Sequence, residues 1–105
     1  MSFDLDQALD RALTAKGSGR LSFDQLLSVL RAGRTQGLPL SAIDATRDDG
    51  AWPGDWGFYI DLDELEAAGE TRMAMAEKSA DWALAYYASG EAERADEEFE
   101  VWFRP

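Results

Sequence analysis

The chain has no cysteine and no histidine, and it carries three prolines in 105 residues. Without cysteine there are no disulfides, thiolate metal sites or sulfur nucleophiles. Without histidine the commonest general base and the commonest transition-metal ligand are missing. Most enzyme chemistry is thereby disfavoured, and neither a cofactor nor a metal is expected. No stretch approaches the ~20 apolar residues that a bilayer span requires, and Met1 leads into an acidic amphipathic segment, not a basic and then apolar leader. The expected setting is soluble and cytoplasmic. Bases are scarce too: 10 Lys and Arg face 21 Asp and Glu, a net charge of −11. Residues 1–54 hold seven acids and six bases, whereas residues 55–105 hold fourteen acids and four bases. Solubility needs only a modest excess of one sign, so this lopsided second half implies a strongly negative face. Such a face disfavours nucleic acid and anionic membranes as direct partners and favours a basic protein surface.

What is present points to one domain, residues 1–105, with 46% hydrophobic and 11% aromatic residues to build a core. Thr71–Ser89 lies in the longest stretch free of Gly and Pro and is dense in helix formers. It reads as a central helix. Met73, Ala76, Ala80, Leu84 and Tyr87 recur at helical steps, and Met75, Trp82 and Tyr86 widen the stripe, which predicts cover on several sides.

Ahead of it, residues 4–15 read as a short amphipathic helix capped by Ser2 or Asp4. After a Gly-rich turn, Ser22 and Gln25 make a capping-box pair, Leu21 and Leu26 are placed as a hydrophobic staple, and Gly33 or Gly37 ends the second helix. The two helices form a hairpin. The triplet Ser-Phe-Asp opens both, at residues 2–4 and 22–24, as shared capping chemistry and not as a repeat. Leu38-Pro39-Leu40 reads as a linker, and Ser41 as the cap of a short helix to Arg47, stopped by Asp48-Asp49-Gly50. Residues 51–57 are a Gly/Pro loop bearing Trp52 and Trp56. Phe58, Ile60 and Leu62 alternate with Tyr59 and Asp61 as a strand, residues 63–68 make one or two helical turns, and Phe99, Val101 and Phe103 mark a second strand. Pairing of the two is open between parallel and antiparallel. The expected fold class is α+β, mostly helical: an N-terminal helical hairpin and a small two-stranded sheet packed around a long central helix.

Residues 14–26 resemble an EF-hand loop and the start of its exiting helix, with Gly19 at loop position six and Leu21 at eight. The resemblance would put Thr14, Lys16, Ser18 and Gln25 at ligand positions one, three, five and twelve, where calcium wants carboxylates. A second echo, Ile60 to Leu65, places Glu64 at position twelve but Pro53 at one and Phe58 at six. Neither implies a bound metal. A Gly-rich turn before a capped helix accounts for the first, and a strand running into an acidic turn for the second.

Function is placed on two acidic groups. Asp61, Asp63, Glu64, Glu66 and Glu70 form one, and Glu91, Glu93, Asp96, Glu97, Glu98 and Glu100 form the other. Carboxylates on neighbouring positions lie roughly 5–6 Å apart and present a row of charge comparable to a phosphate backbone. The plainer account is a solvated surface. Trp52, Trp56 and Tyr59 are candidate apolar anchors, and Trp102 is equally an anchor or a cover for the sheet. The leading expectation is a small acidic, non-enzymatic inhibitor that binds a nucleic-acid-binding protein by mimicry or occlusion. In general character alone, the composition resembles the anti-CRISPR proteins of phages and toxin-immunity proteins. The alternative is a helical adaptor or assembly module, EF-hand-derived and metal-free, that takes a partner protein in an apolar groove. An enzyme built on paired carboxylates is a third reading, disfavoured by the missing histidine and the lack of a pocket signature.

Overall fold

The computed structural model describes residues 3–47, 56–88 and 97–105, with backbone alone for residues 46, 47 and 56–58. Helix α1, Leu5–Ala12, begins where the Asp4 carboxylate accepts the Gln7 N–H at 3.0 Å, and it turns Ala8, Leu9 and Ala12 inward. Helix α2, Phe23–Gln36, opens on the expected capping box. Ser22 Oγ accepts the Gln25 N–H at 3.2 Å, and Gln25 Oε1 accepts the Ser22 N–H at 2.9 Å. Leu21 and Leu26, on either side of that cap, are both buried. The repeated triplet is thus used in two phases: Asp4 caps α1, but Ser22 caps α2, so Phe3 is 37% exposed while Phe23 is 7% exposed. Gly37, at φ 73°, ends α2 in the left-handed region. Gly33 does not end it; it packs beneath Phe103, whose ring would lie 2.5 Å from any Cβ placed there. The helices α1 and α2 pack on one another as a hairpin.

The sheet corrects the reading of residues 38–47. Leu40–Arg47 is a strand, β1, not a linker followed by a helix capped by Ser41. The sheet has three strands instead of two, in the order β2-β1-β3, with β2 at Trp56–Tyr59 and β3 at Glu97–Phe103. The two expected strands do not pair with each other. Both pair antiparallel with β1, one on each side, and so run parallel to one another across it. The physical reason lies in the alternation along β1: Ile43 and Ala45 are buried while Asp44 is exposed, a period of two that places the segment against a core on one face.

The strand expected over residues 58–62 stops at Tyr59, because Asp61 caps helix α3, Leu62–Ala67, by accepting the Glu64 N–H at 3.1 Å. Leu62 is therefore buried from a helix and not from a strand. The long helix α4, Arg72–Ala88, starts with Thr71 Oγ1 accepting the Ala74 N–H at 3.1 Å. It buries Met75, Ala76, Ser79, Ala80, Ala83 and Tyr87. Met73, Trp82 and Tyr86 stay 46%, 49% and 40% exposed, so α4 is covered on one side only, and not on several as its wide apolar stripe predicts.

The core lies where α2 and α4 cover one face of the sheet. Phe23, Tyr87 and Phe99 meet there, with ring centroids 5.5–6.4 Å apart in edge-on or tilted arrangements. Ser79 is a polar member of this interior. Fully buried, it accepts the Leu40 N–H at 2.9 Å and donates to the Ala76 carbonyl at 3.2 Å, fixing the first residue of β1 on α4. The outer edge of β3 is covered by residues 18–21: Leu21 and Phe99 exchange backbone hydrogen bonds of 2.7 and 2.8 Å.

Candidate protein-binding site

Alternation along β3 buries Glu97, Phe99, Val101 and Phe103 and turns Glu98, Glu100 and Trp102 to the other face. The register sets Glu100 directly opposite Asp44, and Trp102 opposite Ala42, which on its other side faces Tyr59. One outer sheet face therefore collects Tyr59, Asp44, Glu98, Glu100 and Trp102. Like charges directly opposed across a sheet are destabilising by a few tenths of a kcal/mol to ~1 kcal/mol. Asp44 accepts the Tyr59 hydroxyl at 3.1 Å, and Glu100 forms no ion pair among the described residues.

Tyr59, 71% exposed, joins this face to a groove of about 520 Å³ lined by Tyr59, Ile60, Asp61, Glu64, Leu65, Ala68 and Trp82. Its lining thus combines three aliphatic residues, two aromatic rings and two acidic residues. Among the described residues no base lines it.

The remaining acids are partly spent within the fold. Arg104 pairs with Asp63 and, at 2.9 Å, with Glu66, and its guanidinium is pushed further above its usual range, chiefly by the hydrogen bond it donates to Asp63. Lys78 pairs with Glu70, and Arg20 with Glu98 at 3.3 Å. Glu97 faces the interior at 7% exposure. Arg34 clamps Asp81 with contacts of 2.9 and 3.4 Å, joining α2 to α4. Of the predicted site residues, Tyr59, Asp61 and Glu64 come together at the groove, and Glu98 and Glu100 share the sheet face with Tyr59. Asp63, Glu66 and Glu70 lie along α3 and the turn after it, held by the chain's own cations. Trp52, Glu91, Glu93 and Asp96 lie outside the described residues, and Trp56 is placed by its backbone in β2.

Sequence reasoning missed Asp44 and Trp82. The alternation Ala42-Ile43-Asp44-Ala45 is the signal for the first; the second is hidden inside an apolar stripe. Trp102 serves as cover: its indole N–H donates to the Ala15 carbonyl at 3.2 Å, and its ring closes over Gly17, where a Cβ would come within 2.7 Å. The first part of the segment that resembles an EF-hand loop, residues 15–21, thus serves as a seat for Trp102 and an edge cover for β3. Among the described residues no group of three or more His, Cys, Asp or Glu is placed to hold a metal ion, and no helix is long and apolar enough to cross a membrane. Comparison of the chain with family models, with curated proteins and with solved structures found no match.

Proposed function

We propose that this protein is a non-enzymatic binder that occupies a basic surface of a partner protein, in the cytoplasm, using the outer sheet face and the adjoining groove. The observation that carries the reading is the junction at Tyr59. An Asp44–Glu100 pair with no ion-pair partner among the described residues and an aromatic groove with two carboxylates both adjoin that side chain. Charge speeds encounter and selects basic partners, while buried aromatic anchors supply lasting affinity. The groove favours the adaptor-like mode of engagement, and the charge of −11 favours a basic, nucleic-acid-binding target. Both are met if the protein acts as an inhibitor that shields such a target, as anti-CRISPR and immunity proteins do. Pure phosphate mimicry is the less favoured form, since Asp63, Glu66, Glu70 and Glu98 are each paired with one of the chain's own cations.

The test is a panel of purified basic nucleic-acid-binding proteins titrated at low and at high salt, with DNA or RNA as competitor. The reading expects complexes that weaken as salt rises and exclude nucleic acid from the same surface. Binding that ignores both salt and competitor would overturn it.

A further inference from the structure

We infer that the groove between Tyr59 and Trp82 receives an arginine side chain presented by the partner. This deepens the reading above and rests on it. The complementarity is chemical as well as electrostatic. The groove holds Asp61 and Glu64 and, among the described residues, no base. One Asp61 oxygen accepts the Glu64 N–H, whereas the Glu64 carboxylate forms no hydrogen bond or ion pair among the described residues. The chain's nearby cations are engaged beside the groove and not in it: Arg104 by Asp63 and Glu66, Lys78 by Glu70.

The lining chooses between the two basic side chains. Trp82 and Tyr59, 49% and 71% exposed, set two aromatic rings at the groove, and the face of such a ring attracts a cation. A guanidinium is planar, weakly hydrated and stacks on such faces, whereas an ammonium holds its water more tightly and loses more on entering a groove lined by Ile60, Leu65 and Ala68. The 520 Å³ volume falls within the ~300–1,000 Å³ typical of ligand sites and has room for the guanidinium, its aliphatic stem and a flanking apolar residue.

The experiment titrates the isotopically labelled full chain with three short peptides, identical except for arginine, lysine or citrulline at the centre between two leucines, and follows amide and indole resonances. The arginine peptide should shift residues 59–68 and the Trp82 indole. Lysine should bind several-fold more weakly and citrulline weakest. Trp82→Ala should weaken the arginine peptide by about two- to thirty-fold, the range expected for a cation on a ring face. An intact fold in that variant, read from its amide resonances, shows that the loss is local. Equal binding of citrulline, or no shift over residues 59–68, overturns the proposal. Shifts confined to Asp44, Glu98 and Glu100 also overturn it but leave the broader basic-partner reading standing. That reading fails separately if the panel of basic proteins does not bind at low salt.

Discussion

Ser18 and Val101 are joined twice: the Ser18 N–H donates to the Val101 carbonyl at 3.0 Å, and the Val101 N–H donates to Ser18 Oγ at 3.0 Å. One residue of a Gly-rich loop thereby satisfies both backbone groups of a fully buried strand residue. The flanking glycines make this possible, since Gly17 and Gly19 sit at φ 79° and 84°. Ser18→Ala keeps the Ser18 N–H but leaves the buried Val101 N–H without its acceptor, and it also removes the hydroxyl that donates to the Gly19 carbonyl at 2.8 Å. The expected loss is about 1–3 kcal/mol in urea denaturation, which in a domain of this size lowers the melting midpoint by at least ~4 °C.

Ser79→Ala should behave in the same way at the other end of the core. It orphans the Leu40 N–H, which is held at 2.9 Å in a fully buried setting. A fall of about 1–3 kcal/mol is expected, and hydrogen exchange should show the Leu40 amide losing protection first.

Gly33→Ala tests close packing. Replacing glycine in a helix interior normally gains roughly 0.5–1 kcal/mol. Here the added methyl would meet the buried Phe103 ring at 2.5 Å, and an overpacking cost of ~1–3 kcal/mol should outweigh that gain. Combining it with Phe103→Leu should cost less than the two single changes together, which a double-mutant cycle in chemical denaturation would read.

Neutralising the opposed acids should separate stability from binding. Asp44→Asn with Glu100→Gln relieves a cross-strand repulsion and keeps an acceptor for Tyr59, so the fold should gain ~0.2–1 kcal/mol at low salt. Affinity for a basic partner should fall in the same variant, with a shallower salt dependence.

Tyr59→Ala gives up the hydroxyl bond to Asp44 and Trp82→Ala the buried half of its ring, so each should lower unfolding free energy by about 1 kcal/mol while the fold stays intact. Calorimetric titration with a basic partner should nonetheless show clear losses for both. A variant pair that binds as the parent does would remove the groove from the site.

The helices were legible because their ends are written in local chemistry: Asp4, Ser22 with Gln25, and Gly37 act within four residues of themselves. β1 was not legible, because its small residues Ser41, Ala42 and Ala45 carry weak strand preference and its identity comes from partners far along the chain. The exposure of Met73, Trp82 and Tyr86 was hidden for a related reason. Apolarity around a helix counts the residues able to be buried, while the number of neighbours decides how many are. Charge imbalance located the acidic half, but it did not reveal that Arg104 and Lys78 reclaim three of those carboxylates or that Asp44 joins Glu100 from the half that is nearly neutral overall.

The pairing of β1 with β3 has a temporal consequence. The middle strand of the sheet is made early, yet one of its two neighbours and a third of the aromatic hub arrive only with residues 97–103. As the chain leaves the ribosome, α1, α2 and β1 emerge with their apolar faces unmet and can close only after β3 has been synthesised. Maturation is therefore a late, single event, and an arrested nascent chain ending near Ala88 should remain protease-sensitive.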